Sequence, residues 1–203
     1  MPKSGEEFQF DRGKFKELAL YIAWKCPPEK LGAVKYNKVL YYSDMFRYVM
    51  TGQPITGATY RRRRLGPTTD QLLSALRELT REGGLAVSEV SFYGFVKKEY
   101  RARRKPDMDV FNAEEISLVD DVIKFVCEDH TAAQISEFSH NLAWEATEQD
   151  GVIPYFSAFL MGGTAVSEEA LLEGEKGASQ IEAERQKRNP LDYPLFEDLR
   201  TSV

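Results

Sequence analysis

Apolar residues recur at helical spacing along most of the chain, and prolines and glycines mark where each run stops. Phe15, Leu18, Ile22 and Cys26 define a first helix from about Arg12 to Lys25, which Pro27-Pro28 ends because proline cannot continue the hydrogen-bond ladder. A second helix runs from Val34 to Gly52. Tyr36, Val39, Leu40, Ser43, Phe46 and Met50 form its stripe, and Tyr41, Tyr42 and Tyr48 widen it well past one face. A helix apolar on most sides belongs at the centre of a domain. Thr51-Gly52-Gln53-Pro54 makes the turn that follows. A third helix is capped at Thr69, shows Leu72, Leu73, Leu76 and Leu79 on its apolar face, and closes at Gly83-Gly84.

Between the second and third helices, residues 55–65 read as extended. A strand at 60–64 would turn Arg61 and Arg63 one way and Arg62 and Arg64 the other. Four consecutive arginines cannot be buried, so this is an edge strand or a surface loop, broken by Gly66-Pro67. Residues 85–91 and 95–102 form a hairpin turning at 92–94. A helix followed by a basic hairpin resembles a winged helix. Arg101, Arg103, Arg104 and Lys105 then lead into a loop at Pro106.

The next helix carries the plainest start signals. Asn112 with Glu115 reads as a capping box and Phe111 with Ile116 as a hydrophobic staple, with Ile116, Val119, Ile123 and Val126 facing inward. A second capping box, Thr131 with Gln134, opens one further helix whose face is Ile135, Phe138, Leu142 and Ala146. That helix places His140 and Trp144 at i,i+4. A last apolar segment spans 152–161 and contains Pro154, and Gly162-Gly163 marks a boundary. The reading is therefore mainly α: a loose polar arm at 1–11, a compact helical domain with a small β element at 12–162, and an acidic extension at 163–203. In the extension, 167–188 is a solvated or partner-ordered helix, and the denser apolar tail 191–199 is a segment that docks back on the domain or onto another protein.

Composition changes this picture little. The 203 residues suit one domain with an appendage, 42% hydrophobic content suffices for its core, and the mean hydropathy is −0.44. No apolar run approaches the roughly 20 residues of a membrane span, and the N-terminus lacks a secretory h-region, which implies a cytoplasmic protein. Cys26 and Cys127 are too few for a disulfide framework and read as reduced, buried, small hydrophobes. Charge changes more. Residues 60–105 hold 12 Lys and Arg against 5 Asp and Glu, a balance of +7 in a chain of −5, so the remainder carries −12. Such a basic middle is a surface for a charged partner, either an acidic protein or nucleic acid.

Catalytic chemistry finds no motif. Cys127, His130 and His140 give C-x2-H-x9-H, too loose for zinc and lacking a fourth ligand. Ser139 and His140 are adjacent and so diverge on a helix, and no nucleophile elbow or phosphate loop is present. No metal and no cofactor is implied. Asp44, among aromatics, reads either as an exposed carboxylate paired with Arg47 or as a half-buried anchor for a basic group. His140 reads either as an imidazole satisfied by a backbone carbonyl or as part of a network with the aromatic helix. The partner-binding candidates are Tyr60, Arg61, Arg62, Arg63 and Arg64 with Arg101, Arg103 and Arg104, which form one patch if strand and hairpin are adjacent. Four neighbouring like charges with no acidic run beside them require counter-charge, from this chain's own acids or from a partner. The third helix, with only Arg77 and Arg81 as bases, is a poor DNA-recognition helix.

Several of these residues also carry a resemblance. Lys38-Val39-Leu40-Tyr41-Tyr42-Ser43-Asp44, Gly52-Gln53-Pro54-Ile55-Thr56, Tyr60, Gly66-Pro67, and Ile135 to His140 with Trp144 resemble the Panacea domain of SocA-like antitoxins and phage-associated proteins, over about 15–160. The resemblance implies an all-helical core with a small β element, no catalysis, and neutralisation of a cognate toxin by direct protein binding. SocA-like members also deliver a toxin to a Clp-type protease. Val39 stands where that pattern more often has Leu, and the four arginines and the acidic tail lie outside it.

Overall fold

The computed structural model describes residues 8–161 apart from residue 93; the 162–163 boundary, the 167–188 segment and the 191–199 tail lie outside the described residues. Contacts divide the chain into two units, Met1–Ala158 and Phe159–Val203, and everything below concerns the first. The fold is mainly α with a small β element. Helices α1 (Arg12–Lys25), α2 (Ala33–Thr51) and α3 (Gln71–Arg81) are followed by a hairpin of β2 (Leu85–Phe92) and β3 (Phe95–Ala102). Then come α4 (Ala113–Ile123), a π turn over Lys124–Glu128, α5 (Ala132–Phe138) and α6 (Leu142–Glu145). Two short strands, β1 (Tyr60–Arg61) and β4 (Val152–Ile153), pair antiparallel.

The central helix is α2. It buries Tyr36, Val39, Leu40, Tyr41, Tyr42, Met45, Phe46, Tyr48 and Val49, and α1, α4, the π turn and α5 pack around it. Its end is set by Gly52, whose left-handed φ of 76° only glycine adopts without strain. Both capping boxes form as expected, Asn112 with Glu115 and Thr131 with Gln134. The hairpin runs in register from Leu85 opposite Ala102 to Phe92 opposite Phe95, and Tyr100 at its base meets Tyr36 edge-on at 5.1 Å.

Four expectations are corrected. The arm is not loose from residue 8 onward: Phe8 packs edge-on against Tyr48 and Tyr155, the Asp11 N–H donates to Thr56 O at 2.9 Å, and the Asp11 carboxylate caps α1. The strand is two residues long. After Arg61 the chain turns, with Gly66 N–H donating to Arg63 O at 2.8 Å. The single helix from Thr131 is broken at 139–141, because the Asn141 side chain accepts from Trp144 N–H at 3.2 Å and starts α6 afresh. Leu142 is consequently exposed. Finally, Leu73 does not join the apolar face of α3. That face is Leu72, Ala75, Leu76 and Leu79, and Leu73 points out at 54% exposure.

Candidate partner-binding surface and the polar core behind it

Asp44 lies in the middle of α2 and is wholly buried. One carboxylate oxygen accepts from Thr56 N–H at 2.8 Å. The other accepts from Thr56 Oγ1 at 2.6 Å, Tyr60 OH at 2.7 Å and Tyr155 OH at 3.3 Å. Burial raises its pKa, and these hydrogen bonds oppose the rise. Both sequence readings of Asp44 are therefore corrected. Arg47 pairs instead with Glu114 at 2.9 Å, and the anchored groups are neutral donors rather than a base. Tyr60 is corrected with it: fully buried and bonded to Asp44, it is a core residue that no partner can touch.

Lys38, one and a half turns earlier on α2, is the counterpart. It too is fully buried, and its ammonium donates only to Pro67 O, at 3.0 Å. Burial, with no carboxylate to offset it, lowers its pKa to about 7. The loop above it closes tightly. A Cβ at Gly66, whose φ is 87°, would lie 2.0 Å from Ser139 Oγ and 2.5 Å from Lys38 Nζ, so only glycine fits. Leu40, Tyr41 and Tyr42 fill the core around these groups. The motif residues Lys38, Gly66, Pro67 and His140 thus converge on one place, although they come from three separate segments.

His140 reaches Trp144 without a shared helix. The rings stack with centroids 4.0 Å apart and planes 22° from parallel. Arg62 lies over Trp144 at 3.9 Å, and its guanidinium donates to Glu145 O at 3.1 Å and Thr147 O at 2.5 Å. Trp144 Nε1 donates to Arg63 O at 3.1 Å. Burial first, and then the charges of Lys38 and Arg62, hold the imidazole below its ordinary pKa, against a backbone hydrogen bond at Arg64. Each reading of His140 captures part of this arrangement: the backbone at Arg64 carries one ring contact, and the ring, stacked on Trp144, also joins α6 to the arginine segment. His130, the other histidine, sits on Phe125 O at 2.8 Å. Among the described residues no group of three or more His, Cys, Asp or Glu could hold a metal, and no helix is long and apolar enough to cross a membrane.

Arg61, Arg62 and Arg63 alternate although the strand itself ends at Arg61. Arg61 and Arg63 share one side, where Asp70 lies 3.7 Å and 3.6 Å away; Arg63 also pairs with the Asp150 carboxylate, and Arg61 donates to Asp150 O at 3.1 Å. This chain's own acids therefore supply counter-charge that no acidic run in the sequence announced. Arg64 is exposed. The hairpin arginines do not extend this patch through a shared sheet, because β1 pairs with β4 and not with β3. Arg104 turns to α1 instead and grips Glu17 with both terminal nitrogens. Burial raises the Glu17 pKa, but Arg104 and the Asp107 N–H outweigh it and hold the carboxyl below its usual range. Arg101 and Arg103 stay exposed.

What the arginine segment does adjoin is a groove of 530 Å³ lined by Arg12, Asp70, Leu73, Ser74, Arg77, Glu78 and Arg81. Asp70 belongs to both surfaces. Within the groove Arg12 pairs with Glu78, while Arg77 and Arg81, one turn apart on α3, are exposed and have no acidic partner among the described residues. With Leu73 they form a stripe at i, i+4 and i+8: one exposed apolar side chain followed by two exposed cations. The sequence held this stripe, but it was masked by assigning Leu73 to the core. Arg12 is brought to it only by the packing of α1 on α3.

Compared with known proteins, residues 37–145 match the family model described as "Antitoxin SocA-like, Panacea domain". No curated protein and no solved structure matches the chain.

Proposed function

The chain belongs to the SocA-like antitoxin family, Panacea domain, and from that premise we propose that it neutralises a protein toxin by binding and occluding it, without catalysis. The observation that carries this reading is the continuous basic surface from Arg61 and Arg63, across Asp70, to Arg77 and Arg81 in the α1–α3 groove. Its cations at Arg77 and Arg81, without an acidic partner among the described residues, leave charge for a partner to complete, and an acidic protein surface matches that arrangement. A DNA duplex matches it less well, since Asp70 and Glu78 stand on or beside the same helix face that would approach the phosphates. The residues behind the surface, Asp44, Lys38 and the His140–Trp144 stack, hold it in place.

The test is co-expression with the product of the adjacent gene. The reading expects that product to arrest growth alone, to be harmless alongside this chain, and to co-purify with it. A neighbour that is harmless alone and does not co-purify contradicts the reading.

A further inference from the structure

Helix α3 has two charged flanks, and the fold answers one of them. On the first, Glu78 and Glu82, one turn apart, meet Arg12 and Lys16, one turn apart on α1. Arg12 pairs with Glu78, and Lys16 Nζ donates to the two Glu82 carboxylate oxygens at 3.0 Å and 3.1 Å. Two packed helices thus exchange charge on two rungs at i,i+4 spacing. The hydrogen bond and charge of Arg12, with Lys16 behind them, hold the Glu78 carboxyl below its ordinary pKa, so this flank stays ionised and balanced. The second flank begins one residue earlier. Arg77 and Arg81 precede Glu78 and Glu82 by about 100° of helical rotation. They line the 530 Å³ groove and have no acidic partner among the described residues. Asp70, which shares the groove with them, already faces Arg61 and Arg63 at 3.7 Å and 3.6 Å. One turn before Arg77, Leu73 is 54% exposed on a helix whose other leucines are buried.

We propose that this second flank docks an amphipathic helix of the partner protein, one that carries two carboxylates a turn apart, for Arg77 and Arg81, and an apolar side chain a further turn along, for Leu73. That the partner is the toxin rests on the antitoxin reading; the pattern the groove accepts does not. Spacing is the first support. Arg77 and Arg81 are about 6 Å apart along α3, the rise of four helical residues, and carboxylates at i,i+4 on a second helix repeat at the same interval. The molecule itself supplies the second: α1 already pairs with α3 on rungs of this kind, with the signs reversed. The third is the mixture of contacts. Two cations in line with one apolar residue match a single face of an amphipathic helix, whereas a phosphate backbone offers nothing to Leu73. A strand is the poorer match to the α1 precedent and would need its acids at i,i+2. A helix laid over the groove also excludes water from the arginine–carboxylate pairs. Charge-assisted bonds of fixed geometry then form where exposed charges alone contribute little.

The experiment titrates the full chain into fluorescein-labelled helical peptides built on alanine and glutamine, read by anisotropy. One peptide carries Glu at i and i+4 with Leu a turn before and a turn after. The other has the same composition and charge, with its two Glu at i and i+2. The aligned peptide should bind about 10-fold more tightly, and its affinity should fall as salt rises. Arg77→Glu with Arg81→Glu should abolish its binding, and that variant should instead take a peptide with Lys in place of both Glu. Leu73→Ser should weaken the aligned peptide by about 5-fold. Equal binding of the two peptides, preference for the i,i+2 spacing, binding of neither, or no rescue by the Lys peptide each overturn the helix pattern. So does a dimer of this chain that Arg77→Glu with Arg81→Glu splits in sedimentation, or a DNA duplex that displaces the aligned peptide at equal concentration, since either makes another molecule the occupant. The peptides contain no toxin, so the two failures are separable. A harmless neighbouring gene product removes the antitoxin reading and leaves the docking pattern standing, while equal peptide binding removes the pattern and leaves the reading standing.

Discussion

The buried core of α2 and the surface of α3 both carry charge, and they treat it in opposite ways. Asp44 is closed off within the fold: four donors from residues 56, 60 and 155 surround its carboxylate, and nothing outside can reach it. Arg77 and Arg81 are exposed and have no acidic partner among the described residues, although Glu78 between them is paired with Arg12. A fully satisfied buried group contributes to stability and specificity of the fold. An exposed, unbalanced group contributes little to stability and is open to a partner. Changes in the first region should therefore disturb folding, and changes in the second should disturb association alone.

The comparison can be broken most forcefully at Asp44. Asp44→Ala leaves the Thr56 N–H, the Thr56 hydroxyl and the Tyr60 hydroxyl buried without their acceptor, while Tyr155 OH keeps Ala58 O at 2.7 Å, and should cost about 4 kcal/mol of stability in urea unfolding. A loss under about 1 kcal/mol would place Asp44 outside the supporting core. Next in size is the surface. Arg77→Glu with Arg81→Glu should weaken toxin binding by about 100-fold while leaving unfolding within about 0.5 kcal/mol of wild type.

Lys38 sharpens the contrast, because it is buried like Asp44 yet poorly satisfied. Lys38→Met should stabilise the protein by about 2 kcal/mol near neutral pH, the desolvation it relieves being larger than the single bond to Pro67 O that it removes. The sign of the pH dependence follows from the lowered pKa. Between about 7 and the ordinary lysine value of 10.5 the unfolded chain holds a proton that the folded chain releases. Wild-type stability should thus gain a rising component with pH across that window, and the variant should lack it. The smallest effect is Arg62→Ala, which removes the stack on Trp144 and two bonds to carbonyls and should cost about 1 kcal/mol in the same assay.

Legibility along the chain followed the distance over which each signal acts. The capping boxes at Asn112 and Thr131, the Gly52 stop and the central place of α2 were all readable, since each depends on neighbours a few residues away. The break at Asn141 was also local, but the periodicity of Ile135, Phe138 and Leu142 spoke more loudly than a single cap residue. Asp44 could not be read, because Tyr155 lies 111 residues away and Arg47, the obvious local partner, is taken by Glu114. Tyr60 was misread through its neighbours: the arginines that follow it are at the surface, while its own side chain alternates into the core. The relief of Arg61 and Arg63 by Asp70 and Asp150, and the joining of Arg12 to Arg77 and Arg81, are tertiary and left no mark in sequence spacing.

The central claim is that the arginine surface running from β1 into the α1–α3 groove binds the toxin while the α2 core only holds it in place. It is tested most directly by titrating the co-purifying toxin into wild type and into the Arg77→Glu, Arg81→Glu variant by calorimetry, with the melting temperature of each measured alongside. The account predicts a dissociation constant weaker by about 100-fold with an unchanged melting temperature. Equal affinities for the two proteins would contradict it.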